Sequence, residues 1–285
     1  MLDLKNIPPV VKNLLIINGL FYLATILLEG QGIDLSNYLG LHYWESPGFR
    51  PHQLVTYMFM HGGFTHILFN MFAVYMFGKV LEGVWGAKRF LIYYMITGVG
   101  AGLIQIIVAY IRIQGMGDAV TPEIIDLIMT EGYQITLESK NYSDPFLGNL
   151  NGLINGVTVG ASGAVFGILL AFGMLFPNTE LMLLFPPIPI KAKWFVLGYG
   201  AIELYSGFAN NPNDNVAHFA HLGGMLFGFI LIQITFFLKF IFISLQFTEF
   251  CTVVCIVSNA VLILPFLPSL TICYRILLHH YVLIY

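Results

Sequence analysis

The chain has 285 residues, of which 58% are apolar and only 9% are charged (12 Lys and Arg, 15 Asp and Glu). A soluble globular chain has roughly 25% charged residues, so this chain has too few polar groups to cover a surface that faces water. Its mean hydropathy of +0.81 excludes intrinsic disorder, and its net charge of -3 argues against nucleic-acid binding. The composition predicts a polytopic, all-α membrane protein.

Six segments are apolar over a length that can cross a bilayer, for which about 20 residues are needed. They lie at about residues 11–28, 55–81, 90–111, 157–176, 190–208 and 216–238. We therefore expect residues 1–239 to form one domain of six transmembrane helices.

The positions of Lys and Arg predict the orientation, because cytoplasmic loops contain an excess of these residues. With the N-terminus inside, the outer loops contain only the cations Arg50, Arg112 and Lys140, together with most of the acids. The cations at the inner ends are then Lys5, Lys12, Lys79, Lys88, Arg89, Lys191, Lys193 and Lys239. The short inner end, without an evident targeting peptide, is compatible with a bacterial plasma membrane.

Two segments differ from this simple pattern. Residues 114–156 form a long acidic outer loop, in which Thr121-Pro122-Glu123 is typical of a helix start. The apolar residues that follow predict a short amphipathic helix, either at the outer interface or packed on the bundle. The tail at 240–285 contains every cysteine and two prolines that interrupt its apolar run. It is long enough for a seventh span, or it is not a native continuation of the domain, and we assign it no function.

Polar residues within apolar spans indicate chemistry, because each is costly in a membrane. In the second span, His66 and Asn70 are four residues apart and therefore share a helix face. Gly62-Gly63 predicts that the helix begins just after them. The two side chains could hold an oxyanion or could simply bond to neighbouring helices, and the second interpretation is favoured for this motif alone.

The start of the fourth span contains the sequence Gly160-Ala161-Ser162-Gly163. Glycines before the serine weaken any helix there, so we expect a helix to begin close to Ser162, with unpaired amides at its start. A serine beside free N–H donors is half of an acyl-transfer site. In a glycine-rich helix, however, a serine is more often a packing residue.

In the sixth span, His221 precedes a face of small residues formed by Gly224 and Gly228. Ser162 and His221 are each five residues into their spans, which places both roughly 7–8 Å below the outer surface at 1.5 Å per residue. This matched depth predicts a hydrogen bond between the serine and the histidine.

Together, the three motifs resemble those of the rhomboid intramembrane serine proteases, over about residues 10–239. The resemblance implies a six-helix bundle with a water-filled cavity that opens to the outer side. It implies Ser162 as nucleophile and His221 as general base, and an oxyanion hole formed by His66, Asn70 and the backbone N–H of Ser162.

The resemblance also implies supporting positions around the dyad, at Gly160, Gly163, Phe166, Gly224 and Gly228. Phe166 stands where many members have a tyrosine stacked on the catalytic imidazole, and a phenyl ring can still stack. Many members have an adjacent Trp-Arg pair in the first loop, whereas Trp44 and Arg50 are six residues apart here. The resemblance therefore does not say how this loop is anchored.

A neutral imidazole can remove the proton from a serine hydroxyl, and no Asp or Glu is expected deep in a span to orient His221. We therefore predict a dyad and not a triad. A zinc protease would need His-Glu-x-x-His, which is absent. His218 and His221 could both face a metal, but no carboxylate accompanies them in the sequence. We expect neither a metal nor a cofactor.

The predicted function is that of a serine endopeptidase that cleaves transmembrane protein substrates within the lipid bilayer. The main alternative is a non-catalytic, rhomboid-like protein that binds transmembrane clients. A transporter is the third hypothesis, for which Glu203, near the outer end of the fifth span, is the one clear intramembrane charge. The expected partners are transmembrane protein substrates and the lipid bilayer, and no nucleic acid is expected.

Overall fold

The computed structural model describes residues 6–182, 187–209 and 216–237. The chain divides into two compact units, Met1–Ile232 and Gln233–Tyr285. Of the second unit only residues 233–237 are described, and the tail at 240–285, with its predicted seventh span, lies outside the described residues. All residues discussed below as a site belong to the first unit.

The described chain is mostly helical. In chain order the helices are α1 (Pro9–Glu29), α2 (Leu35–Leu39), α3 (Gln53–Thr56), α4 (Phe64–Ala73), α5 (Lys79–Trp85), α6 (Ala87–Gly115), α7 (Pro122–Leu127), α8 (Tyr133–Leu137), α9 (Pro145–Asn155), α10 (Ser162–Leu175), α11 (Ala192–Ala209) and α12 (His218–Phe237). Turns of 3-10 helix lie at Tyr57–Phe59 and Gly117–Ala119, and turns of π helix at Val74–Gly78 and Ile128–Gly132. Strands β1 (Glu180–Met182) and β2 (Pro189–Lys191) form a short antiparallel pair.

Four of the predicted spans are long and apolar enough to cross a membrane: α1, the continuous helix Phe64–Trp85 formed by α4 and α5, α6, and α12. The fourth predicted span corresponds to α10, which is apolar but has only 14 residues. The fifth corresponds to α11, which has 18 residues and includes Glu203. The fold is that of an all-α membrane protein, and the count of six spans stays a prediction.

Among the described helices, α10 has the largest share of buried residues. It is apolar on every side, as is typical of a buried helix, and most of its residues between Gly163 and Gly173 are buried. Its glycines face its neighbours: a Cβ on Gly167 would lie 2.7 Å from Cβ of Thr97 in α6, and one on Gly173 would lie 2.7 Å from Val196 in α11. Small residues at these contacts permit close approach of the helices. The first residue of α10, Ser162, is thereby placed at one end of the protein core.

A buried carboxylate attaches the first helix to the second span. Glu82 in α5 is only 3% exposed and accepts hydrogen bonds from the backbone N–H groups of Val10 (2.9 Å) and Val11 (2.8 Å). The first amides of a helix lack intrahelical partners and lie at the positive end of its dipole, so a carboxylate is the favoured ligand there. Glu82 therefore caps α1 and holds it against α5.

The first loop is anchored without an adjacent Trp-Arg pair. Leu41 and Thr158 exchange backbone hydrogen bonds of 2.8 and 2.9 Å, which join this loop to the chain just before α10. The Ser46 hydroxyl donates to Oδ1 of Asn155 at 2.9 Å. The guanidinium of Arg50, in contrast, donates within its own loop, to the carbonyl oxygens of Pro47 and Phe49. Backbone pairing and a buried polar contact thus anchor this loop.

In the loop at 114–156, which the sequence predicted to be on the outer side, α7 begins at Pro122, and the Thr121 hydroxyl accepts a hydrogen bond from the Ile124 N–H at 3.4 Å. The apolar residues Ile124 and Ile125 pack against the core. The end of α9 also holds this loop, because the Asn155 side-chain amide donates to the Ile128 carbonyl oxygen at 2.7 Å. This arrangement corresponds to a loop helix that packs on the protein.

Candidate active site

The chain turns sharply just before α10. Gly160 has a φ of +130°, a conformation that favours glycine, and its N–H donates to the Tyr57 carbonyl oxygen at 2.9 Å. The helix then begins at Ser162, which confirms the start expected from the preceding glycines. Its N-cap residue, Ala161, has no side chain that can bond to the first amides. The start of α10 therefore presents N–H donors without a protein cap.

Ser162 and His221 meet across two helices, α10 and α12. Oγ of Ser162 lies 2.8 Å from Nε2 of His221, which is the distance of a strong hydrogen bond. His221 is buried, with 8% of its surface exposed, while Ser162 is half-buried. A base held against a hydroxyl that is still partly exposed is the arrangement that nucleophilic catalysis requires.

The imidazole of His221 is also held by a stacked ring. The rings of Phe166 and His221 are nearly parallel, at an angle of 9°, with centroids 4.3 Å apart. Phe166 is one turn after Ser162 on α10, so a single helix contacts both the edge and the face of the imidazole.

Glycines bring the backbones of α10 and α12 into contact. A Cβ on Gly224 would overlap the carbonyl group of Gly163, and one on Gly228 would lie 3.4 Å from the Cα of Gly167. The hydroxyl of Tyr93 in α6 donates to the Gly167 carbonyl oxygen at 2.8 Å and closes this region from the other side. This close approach brings the two helices near enough for the side chains of Ser162 and His221 to form a hydrogen bond.

His66, in α4, lies beside the serine. From the position that a Cβ on Gly160 would take, Nε2 of His66 is 2.7 Å away and Oγ of Ser162 is 3.5 Å away. The helix α4 begins at Phe64, which confirms the start expected after Gly62-Gly63. His66 is therefore in the first turn of its helix and at the same end of the bundle as Ser162.

Asn70 is one turn further along the same face of α4. It is 5% exposed, and its Nδ2 is buried without a hydrogen-bond partner in the described part of the chain. No hydrogen bond between the described residues joins His66 or Asn70 to Ser162 or His221. The structure thus places a free amide donor beside His66 without assigning it an acceptor.

One expectation about the site is wrong. The sequence predicted that no carboxylate would accompany His218 and His221, but Oε2 of Glu203 in α11 lies 2.6 Å from Nδ1 of His218 and 2.9 Å from Nδ1 of His221. Glu203 is only 7% exposed. Its contact with α12 depends on how α11 packs, so nothing in the local sequence reports it. The available signal was that Glu203 is the only acid in the predicted fifth span.

Ligand atoms of Glu203, His218 and His221 lie within 4.8 Å of one another, and these residue types can bind a metal. Ligands on a tetrahedral zinc ion, however, are about 3.3 Å apart when the metal bonds are about 2.0–2.1 Å long. The shared oxygen of Glu203 is closer than this to both imidazoles, at 2.6 and 2.9 Å. In this arrangement the Glu203 carboxylate contacts both imidazoles directly.

Two cavities lie near the site without including the dyad. One, of about 360 Å³, is lined by residues of the first loop, α6 and the segment before α10, among them His42, Gln105 and Thr158. The other, of about 70 Å³, is lined by Arg112, His218 and neighbouring residues. Neither lining includes Ser162 or His221, so the predicted water-filled cavity around the dyad stays a prediction.

The fold and the site together define an integral membrane protein with a Ser–His pair at the end of a buried helix. Residues 48–238 match the family model for the Rhomboid domain, so the chain belongs to the rhomboid family. This stretch contains every residue of the candidate site.

Two curated relatives show the extent of this similarity. The chain is 28% identical over 184 residues to the candidate rhomboid protease YdcA of Bacillus subtilis (strain 168). This alignment covers 64% of this chain and 67% of that protein. It is 25% identical over 248 residues to rhomboid-like protein 11, chloroplastic, of Arabidopsis thaliana, covering 75% of this chain and 64% of that protein. The chain thus spans about two thirds of the length of each relative.

Proposed function

We propose that this protein is an intramembrane serine endopeptidase that cleaves transmembrane protein substrates. The single observation that best supports the proposal is the 2.8 Å contact between Oγ of Ser162 and Nε2 of His221 at the start of an otherwise apolar, buried helix. Membership of the rhomboid family supports the same reaction class.

In this mechanism the neutral imidazole of His221 removes the proton from Ser162 while Oγ attacks the scissile carbonyl carbon. A tetrahedral oxyanion forms, and it is stabilised by the Ser162 N–H at the positive end of the α10 dipole. The imidazolium then protonates the leaving amine, and the peptide bond breaks to give an acyl-enzyme. Water, deprotonated by His221, hydrolyses this ester and restores the hydroxyl.

Asn70 and His66 are the proposed side-chain donors to the oxyanion. A buried amide without an acceptor costs roughly 1–3 kcal/mol, so its presence calls for an explanation. Nδ2 of Asn70 is such a group, and an oxyanion that exists only during the reaction would be its acceptor. Donors that are oriented before the charge develops stabilise the transition state more than the ground state.

The six-span topology, with the N-terminus inside and the site opening to the outer side, is part of the proposal, as is a bacterial plasma membrane. The asymmetry of Lys and Arg supports this orientation. Because hydrolysis needs water, the proposal requires that solvent reaches Ser162, and the partial exposure of this side chain agrees with that requirement.

The alternative function, a non-catalytic family member that binds transmembrane clients, makes a different prediction. Such a protein has no need for a nucleophile hydrogen-bonded to a base, yet both residues are present and in contact here. It would retain client binding while giving no cleavage.

The test uses the full chain purified in detergent, a model single-span substrate and a fluorophosphonate that labels activated serines. We expect wild type to cleave the substrate and to be labelled, and Ser162→Ala and His221→Ala to do neither. Ser143→Ala, which changes an exposed serine of the outer loop, is the matched control and should behave as wild type. Cleavage that survives in either dyad variant would contradict the assignment, and client binding without cleavage by wild type would favour the alternative.

A further inference from the structure

Glu203 is a buried acid inside a membrane protein, and the dyad described above gives it no role. A carboxylate that is removed from water is costly unless it is paired. Its Oε2 lies 2.6 Å from Nδ1 of His218 and 2.9 Å from Nδ1 of His221. It therefore contacts Nδ1 of His221, on the opposite side of the ring from the Nε2 atom that contacts Ser162.

The chemistry of the dyad determines which nitrogen of the His221 ring must have the proton. Nε2 can accept the Ser162 proton only if the proton of the neutral ring is on Nδ1. That N–H is buried, and it has no well-aligned hydrogen bond to another described residue. Oε2 of Glu203 is within hydrogen-bond distance of Nδ1, at 2.9 Å, but the two groups are not aligned well enough to form a hydrogen bond. Catalytic hydrogen bonds are often misaligned before substrate binds and become shorter and straighter in the complex.

We propose that Glu203 is a positioning residue for His221, so that Ser162, His221 and Glu203 act together as a triad. Its carboxylate holds the proton on Nδ1 and thereby leaves Nε2 free to act as the base. When His221 takes the serine proton, the carboxylate stabilises the imidazolium, and the proton passes from Nε2 to the leaving amine without transfer to Glu203. The inference rests on the proposed function and adds a residue to the same site.

Two other roles for the cluster are distinguishable from this one. Glu203 could serve only to pair with His218, in which case its effect on the reaction would pass through that residue. The three side chains could instead bind a divalent cation, because their ligand atoms are within 4.8 Å of one another. Both roles are outcomes that the experiment can detect.

The experiment uses the full chain in detergent and measures kcat and KM for the single-span substrate, together with the rate of labelling by the fluorophosphonate. We expect Glu203→Gln, which keeps the shape and removes the charge, to lower kcat and the labelling rate by about ten- to a thousandfold, with little change in KM. Glu203→Asp should recover part of this loss, because it restores a carboxylate. Glu123→Gln, the same change at an exposed acid of α7, should equal wild type.

Two further arms test the competing roles. His218→Asn should lower kcat less than Glu203→Gln does, because it removes the neighbour and keeps the carboxylate beside His221. Wild type should be unaffected by a chelator, and submicromolar zinc should not stimulate it. A thermal melt of each variant shows whether it is folded.

Each contrary result has a defined meaning. Unchanged kcat in folded Glu203→Gln, an equal loss in His218→Asn, or activity that requires added zinc would overturn the role of Glu203. In those cases wild type would still cleave and would still be labelled at Ser162, in the last case once zinc is added. Absence of cleavage and labelling in wild type would instead refute the proposed function, so the two failures are distinguishable.

Discussion

Ser162 owes its position to the residues around it. The preceding Gly160 adopts a backbone conformation that other residues rarely reach, and the next residue, Ala161, leaves the helix start uncapped. Neither residue has a bulky or polar side chain, so a helix start close to Ser162 could be predicted from the local sequence. The contact with His221 could be predicted only as a matched depth on two spans, since nothing local determines which helices are adjacent.

Asn70 gives a prediction at the residue scale. We expect Asn70→Ala, and likewise His66→Ala, to lower turnover by about ten- to a thousandfold, as the loss of one oxyanion donor does. The physical reason is that each substitution removes a donor that acts on the charge formed in the transition state. The measurement is kcat of the purified variants, with Asn37→Ala in the first loop as the control. Undiminished turnover in both variants would remove these residues from the site.

Glu203 shows the limit of reasoning from single segments. In the sequence it is an isolated acid near the end of a span, for which contact with water is the simplest interpretation. In the structure its carboxylate is buried between two imidazoles of another helix. The spacing of His218 and His221 showed that they share a face, but the third member of the cluster comes from α11.

At the scale of elements, the contact between α10 and α12 depends on glycine. Gly224 packs directly on the backbone of Gly163, where even a methyl group has no room. The motif of small residues predicted this type of interface, and the structure identifies the partner. The two helices are close enough for a short serine side chain to reach an imidazole because neither has side chains at the crossing.

This packing predicts that Gly224→Ala will separate the helices. We expect the variant to lose most of its fluorophosphonate labelling and to melt at a lower temperature, because overpacking a core costs about 1–3 kcal/mol. Gly19→Ala in α1 is the matched control, since a Cβ there meets nothing within 4 Å. The measurements are the labelling rate at Ser162 and the Tm of both variants in the same detergent. Equal labelling of Gly224→Ala and wild type would show that the crossing does not control the dyad.

The first helix illustrates a contact that hydropathy does not reveal. Val11 and Leu14 are buried, as expected of an apolar span, but the start of α1 is fixed by the carboxylate of Glu82. Glu82 is 71 residues from Val11 along the chain, so its role depends on the return of the second span to the N-terminal end of the first. Its place in the sequence, near Lys79 and Lys88, gives no reason to distinguish it from a solvated charge.

At the scale of the whole molecule, the distribution of charge predicts the orientation. We expect an epitope tag at the N-terminus to survive protease treatment of bacterial spheroplasts. A tag in the loop at 138–141 should be lost under the same treatment. The reason is that, in the predicted six-span topology, most cations lie at one set of span ends and few in the loops on the opposite side, and cytoplasmic loops contain an excess of Lys and Arg. Disruption of the membrane should expose both tags and serves as the control. Loss of the N-terminal tag with survival of the loop tag would reverse the orientation.

Composition and local pattern were sufficient for several features of this protein. They predicted a membrane protein and the helix starts at Phe64 and Ser162. These depend on hydropathy and backbone preference, which act within a few neighbouring residues. The partnership of α11 with α12, the cap on α1 and the anchoring of the first loop depend on which elements pack together. Such contacts join residues distant in the chain, so only the folded arrangement determines them.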